Sequence, residues 1–235
     1  RIDSETAKPA ADDAAGLAVS ESMRAQIRSI NQAMRNANDG ISMIQTAEGG
    51  MNEIANILIR FRELSIQSAS DTIGNAERQF LDKEVQQLKS EIDRIAESTE
   101  FNGRKLLAEG GDLLEFQIGM RNNPGLDRFQ FNTEKVAVTT EVLGVGDLSV
   151  GTKESAQENL NVIDDAIRVV SENRAEVGAL QNRLQSSVNN LGTYNENLQA
   201  ARSRIADADI AKQASELSKS QILAQAGTSV LGQAN

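Results

Sequence analysis

The amino-acid sequence predicts a mainly α protein: an antiparallel bundle of long helices forming a rod, with a small β-hairpin region. Three observations predict it. Apolar residues recur every seven positions through the last third, at Ala156, Ile163, Val170, Val177, Leu184, Leu191, Leu198 and Ile205. Near the start they alternate at spacings of four and three, at Met23, Ile27, Ile30, Met34, Ala37, Ile41 and Ile44. In the middle they fall at every second residue on both sides of a Pro-Gly turn. The first two patterns give a helix one apolar stripe; the third gives a strand pair one apolar face.

The first helical series continues through Met51, Ala55 and Leu58 after a gap at Glu48, where Gly49 and Gly50 follow. Each glycine costs a helix roughly 1 kcal/mol relative to alanine, so the helix bends there or another group approaches its backbone closely. The polar stretch from Gln67 to Asn75 has turn composition. A second helix follows with Leu81, Val85, Leu88, Ile92 and Ile95 on one face, Asn75 as its expected cap and Glu77 in its first turn. Two amphipathic helices joined by a short polar turn bury most surface by folding back on each other. Residues 1–109 therefore form the N-terminal helical half of the rod.

Residues 110–154 change character. Leu114, Phe116 and Ile118 alternate with polar residues, then Asn122-Asn123-Pro124-Gly125 turns the chain, and Phe129 and Phe131 alternate again. This pattern is a β-hairpin with one buried face. From Thr133 to Glu154 the pattern weakens to Val-rich and Gly-rich pieces, a further short strand or a loop. Residues 155–208 form the C-terminal long helix. Its companion positions are apolar at Leu160, Ile167 and Val188 but polar at Arg174, Gln181, Asn195 and Arg202. That narrow stripe fits a helix packed in a small bundle better than one strand of a free coiled coil.

Composition removes most chemistry. The chain of 235 residues has no Cys, His or Trp, so it has no thiol nucleophile, no Ser-His or Cys-His pair and no usual zinc ligand set. A carboxylate pair would still need a cleft with sugar-binding surface around it. Asp12-Asp13 and Asp207 with Asp209 lack the ligand spacing and glycine of a calcium loop, and read as helix caps and solvated charge. No catalytic residue, cofactor site or metal site is assigned, and no enzyme activity is expected. A formal net charge of −10 with 3% aromatic residues argues against a nucleic-acid partner. No apolar run is long enough to cross a bilayer.

Longer motifs carry a resemblance. ADDAAGLAVSE (11–21), RNANDGISMIQTAEG (35–49) and FNGRKLL (101–107) are similar to the N-terminal region of bacterial flagellins. GALQNRL (178–184), ENLQAARSRIADAD (196–209) and ILAQAGTSVLGQAN (222–235) resemble the C-terminal region of the same family. The resemblance implies a structural subunit of the extracellular flagellar filament, secreted through the flagellar export apparatus and polymerising by helix packing into a motility propeller. Its implied partners are other flagellin subunits, an export chaperone and the filament cap protein. Residues 209–235 would belong to the C-terminal filament-core segment that lines the inner tube. A hook-filament junction protein shares such ends and stays an alternative, as does a cytoplasmic helical scaffold or signalling module. Only Thr133–Glu154 stands where flagellins carry variable outer domains, so little outer decoration is expected. Departures from the family are the inserted SETAKPA (4–10), with a break expected at Pro9, and the missing segments before Arg1 and after Asn235, without which weak self-association is expected.

The segment from Ile59 to Ile66 also resembles the flagellin patch bound by Toll-like receptor 5. The resemblance assigns receptor contacts to Ile59, Arg60, Glu63 and Leu64, with Glu84 as a supporting acidic contact. Arg60 and Leu64 are four apart, which places them on one helix face. Against this stands a plainer reading, in which the charged residues solvate a helix and Leu58 and Phe61 serve the core. Leu88 stands where receptor-binding relatives often place a basic residue, and Phe61 replaces a smaller one.

Overall fold

The computed structural model describes residues 14–206 and 210–233. The expected break at Pro9 and the Asp12-Asp13, Asp207 and Asp209 positions lie outside these. Among the described residues, five helices and four short strands follow in the order α1 (Ala14–Ser68), α2 (Asn75–Ser98), β1 (Glu100–Phe101), β2 (Arg104–Lys105), β3 (Leu113–Gln117), α3 (Pro124–Asp127), β4 (Arg128–Asn132), α4 (Lys153–Ala206) and α5 (Ile210–Gln233). The chain divides into two compact units, one of residues 30–192 and the other of residues 1–29 with 193–235. In the second unit the described parts are helical, and α5 exposes Ile222, Leu223 and Val230.

Within residues 30–192 the predicted seams meet. Ile30, Ala37, Ile44, Met51 and Leu58 of α1 are buried, together with Ala47, Ile54 and Phe61, while Ala55 sits at the margin. From α4, Ala156, Ile163, Val170, Val177 and Leu184 face the same core; farther along that stripe Leu191 and Leu198 are half-buried and Ile205 is exposed. Arg62 pairs with Asp164 and Glu48 with Arg174, so α1 and α4 run antiparallel. α2 contributes Val85, Ile92 and Ala96 and also lies antiparallel to α1, as Arg60–Glu84 and the approach of Gly50 to Thr99 establish.

The two glycines of α1 divide the alternatives between them. The helix runs through both without interruption. A Cβ on Gly50 would stand 2.7 Å from both Leu107 Cδ1 and Thr99 Oγ1, whereas one on Gly49 would meet nothing within 4 Å. Close approach therefore explains Gly50 and leaves Gly49 without a packing role.

Three local expectations need correction. The residue before α2 is Gly74, not Asn75, and Asn75 instead accepts a hydrogen bond from Arg78 Nη1 at 2.8 Å. FNGR, assigned to the helical half, makes a hairpin of its own: β1 pairs antiparallel with β2 across Asn102 (φ 51°) and Gly103 (φ 77°). An Asn-Gly pair with positive φ at both residues is the signature of the tightest hairpin turn. The β3–β4 hairpin pairs Leu114 with Phe131 and Phe116 with Phe129, with Leu114, Ile118 and Phe131 buried. Its connection is not a simple Pro-Gly turn: Pro124 and Gly125 begin the single helical turn α3, which Asn123 caps by accepting from Gly125 N.

The largest surprise is the segment 133–151, within the stretch to Glu154 expected to be a further short strand or a loop. It has no regular structure, yet Val136, Val138, Val145 and Val150 are all 2% exposed or less. A chain without its own ladder must find partners for its backbone elsewhere. Turns within the segment and Leu107 O supply part of them, and α2 supplies others with Gln79, Asp82, Gln86, Lys89 and Asp93, a polar stripe at the spacing of a helix seam. Asp93 accepts from Thr140 N at 2.8 Å and Oγ1 at 2.9 Å. Lys89 and Gln86 donate to Leu148 O, Asp82 accepts from Ser149 Oγ and Val150 N, and Gln79 reaches Gly151 O. The segment is thus a strap lying antiparallel along α2.

Candidate functional site

The face formed by the outer surfaces of α1 and α2 carries the sequence-assigned receptor residues. Helical geometry sorts them into two sets. Ile59 is 48% exposed, and the side chains of Arg60, Glu63 and Glu84 are about half-exposed, at 50%, 61% and 43%. Leu64 is 1% exposed. Four residues of helix advance by about 400°, and this overshoot turns Leu64 beside Phe61 and Ser65 into the core. The expectation that Arg60 and Leu64 together offer a compact outward contact is corrected: Leu64 supports the helix from beneath while Ile59, Arg60, Glu63 and Glu84 remain open to a partner.

Arg60 is held by two carboxylates. Its Nε donates to Glu84 Oε1 at 3.0 Å and its Nη1 to Glu63 Oε2 at 3.1 Å. The hydrogen bond to Glu84, then that to Glu63, raises the guanidinium pKa above its ordinary value. Glu84 thus acts within the chain, linking α2 to α1 and fixing the direction of Arg60. On the other flank of Ile59, Arg62 donates to Asp164 of α4 at 2.6 Å, which lowers the aspartate pKa. Sequence reading treated Arg62 as a solvating charge. Its partner lies 102 positions away, and no local pattern connects them.

The turn beneath this face is fixed by a residue the sequence reading did not single out. Arg78, 7% exposed, donates to Ser68 O, Ser70 O and Asn75 Oδ1 at 2.8–2.9 Å. Its planar fork reaches three acceptors in different directions, as a single ammonium cannot. The contact orients α2 against the end of α1, and so orients Glu84 toward Arg60. The only available signal was a cation near a polar turn.

A second surface lies where β4 meets α4. A groove of about 170 Å³ has a floor of Phe131, Val136, Val177 and Leu180, with Ala179 at its lip. Arg183 lies over the Phe129 ring at 4.5 Å from its centroid. Among the described residues there is no group of three or more acidic side chains able to hold a metal ion, and no helix is long and apolar enough to cross a membrane.

Comparison with known proteins gives these surfaces a context. Residues 5–111 match the bacterial flagellin N-terminal helical region and residues 160–235 the bacterial flagellin C-terminal helical region. A flagellin of Halalkalibacterium halodurans is 45% identical over 226 residues, covering 96% of this chain and 82% of the relative. The flagellar filament 33 kDa core protein of Treponema phagedenis is 43% identical over 239 residues, covering 96% and 83%. The crystal structure of Bacillus cereus flagellin aligns with a TM-score of 0.59 at 33% identity, over 67% of this chain and 88% of that one.

Proposed function

The chain belongs to the bacterial flagellin family, structural proteins of the flagellar filament and not enzymes, and from that premise we propose that copies of it polymerise outside the cell by burying helix faces against one another. The observation that carries this reading is the ordered match of both chain ends to the family, over most of the sequence. The α1–α4 pairing supports it mechanically, because joining distant parts of the chain along one seam makes a stiff body. A polymer that transmits torque needs stiffness and repeated contacts, not reactive groups. Similarity to flagellins and to a filament core protein favours the filament subunit over a hook-filament junction protein. Export through the flagellar apparatus, a dedicated chaperone and the filament cap belong to the same reading.

Seeded polymerisation of the full-length protein, followed by electron microscopy, tests it. Long tubes growing from filament fragments are expected. Seeds that are capped without elongation would indicate the junction protein, and no association at all would indicate a scaffold.

A second reading, recognition by Toll-like receptor 5, draws support from the exposure of Ile59, Arg60, Glu63 and Glu84 on one face. A fixed, half-exposed arginine beside an exposed isoleucine is the residue chemistry of interface anchors. Arg60→Asp is expected to abolish signalling in receptor-reporter cells; unchanged signalling at equal protein concentration rules the reading out.

A further inference from the structure

Phe80 is the exposed aromatic of α2. It is 68% exposed, in a chain with only six phenylalanines and one tyrosine, and the ammonium of Lys83 lies over it, 5.7 Å from the ring centroid. Leaving such a ring in water forgoes one of the larger gains a side chain can make on burial. Its neighbours on the exposed face are Glu77, three residues before, and Lys83, three residues after.

The groove beside α4 is the counterpart. Its volume of about 170 Å³ is close to that of the cavity of about 150 Å³ that admits benzene, and its floor is apolar. Ala179 at the lip leaves room above it, and Glu176 and Arg183 flank it on α4. The charges at the two sites are complementary in sign and spacing. Glu77 and Lys83 are about 9 Å apart along α2, and Glu176 and Arg183 about 10 Å apart along α4. Laid antiparallel, the helices bring Lys83 to Glu176 and Glu77 to Arg183, with Phe80 over Ala179 between them. Among the described residues none of these four charged groups has an ion-pair partner in its own chain.

We propose that Phe80 of one copy inserts into the groove between β4 and α4 of a second copy, with the Lys83–Glu176 and Glu77–Arg183 pairs setting its register. The knob and the hole lie on different surfaces, so the contact is heterologous and repeats from copy to copy instead of closing into a dimer. The buried ring supplies most of the attraction, and the rim charges select the antiparallel orientation. This inference rests on the polymerisation reading above and names the contact that would carry it.

The chain contains no cysteine, so engineered thiols report the contact directly. Lys83→Cys combined with Glu176→Cys keeps Phe80 in place; Glu77→Cys with Glu176→Cys puts the thiols at opposite ends of the register. Each full-length variant is assembled on filament seeds and oxidised. A ladder of disulfide-linked multimers is expected from the first pair and not from the second. Phe80→Ala is expected to slow elongation by roughly tenfold or more, and Ala179→Trp, which fills the groove, should do the same. Polymers that form without the ladder, or that grow at the normal rate with Phe80→Ala, overturn the contact and leave the polymerisation reading intact. Wild-type protein that does not polymerise on seeds overturns both.

Discussion

Along the α1–α4 seam, Ile44, Met51, Leu58, Ile163 and Val170 are sealed at helical spacing by two elements that satisfy their own backbones. In the strap, Val136, Val138, Val145 and Val150 reach the same burial from a chain with no regular structure. The difference lies in where the backbone hydrogen bonds go. A helix closes them internally, so its packing needs only apolar shape. The strap closes some in its own turns, such as Leu143 N to Thr139 O and Val145 N to Thr140 O, one on Leu107 O, and takes others from the side chains of α2. Buried apolar side chains alone are thus a poor guide to how a region is secured.

Substitutions that separate the two mechanisms sharpen the contrast, beginning with the largest. Phe61→Ala empties a fully buried position of the seam and should cost about 3–5 kcal/mol in denaturant unfolding. Arg78→Ala leaves three acceptors without their donor and should cost about 3 kcal/mol. Arg78→Lys should recover only part of this, since one ammonium cannot reproduce the fork. A fully rescuing lysine would show that charge alone holds the turn.

Asp82→Ala attacks the strap without touching the seam. Loss of its two donors, Ser149 Oγ and Val150 N, should cost about 1–3 kcal/mol. Hydrogen exchange at Val150 should accelerate, while amides in the middle of α1 stay protected. Equal acceleration in both places would mean that strap and seam open as one unit. The adjacent glycines give a smaller test of opposite signs. Gly49→Ala should raise stability by roughly 1 kcal/mol, whereas Gly50→Ala should lower it by driving a methyl into Leu107 and Thr99.

The smallest effect is expected from the exposed ion pairs and is read against pH. The hydrogen bond from Arg62 lowers the pKa of Asp164, and that from Lys153 lowers the pKa of Asp71, each from an ordinary value of 3.8. A lowered folded-state value means that the unfolded chain binds protons first as acid is added. Their contribution is therefore complete above the ordinary carboxylate range and disappears as pH falls through the lower folded-state values. Thermal melting should show this acid limb, weakened by salt and flattened in Asp164→Asn.

Legibility in the sequence followed the range of the interaction. The α1 and α4 stripes, the turn after Ser68 and the alternation of Leu114, Phe116, Phe129 and Phe131 were visible because each is a repeat within one element. The small hairpin at Asn102-Gly103 had a local signal that the helical reading of its surroundings obscured. At the candidate site, Ile59, Arg60, Glu63 and Glu84 were named by resemblance. The burial of Leu64 was not foreseen, because the resemblance placed it among the receptor contacts although it stands three residues beyond the core residue Phe61. The polar stripe of α2 has seam spacing but none of a seam's composition, so hydrophobic periodicity passes over it.

By itself, then, the sequence determined where the long helices run, which face of each is apolar and which residue types are missing, since these depend on residue type and near-neighbour spacing. Tertiary structure alone decided that Gly50 is a contact and Gly49 is not, that Glu84 holds Arg60, that Arg62 finds Asp164, and that residues 133–151 are a buried strap. Each depends on groups brought together across a fold, and the energy of such a contact is set by distance and burial that no local pattern encodes.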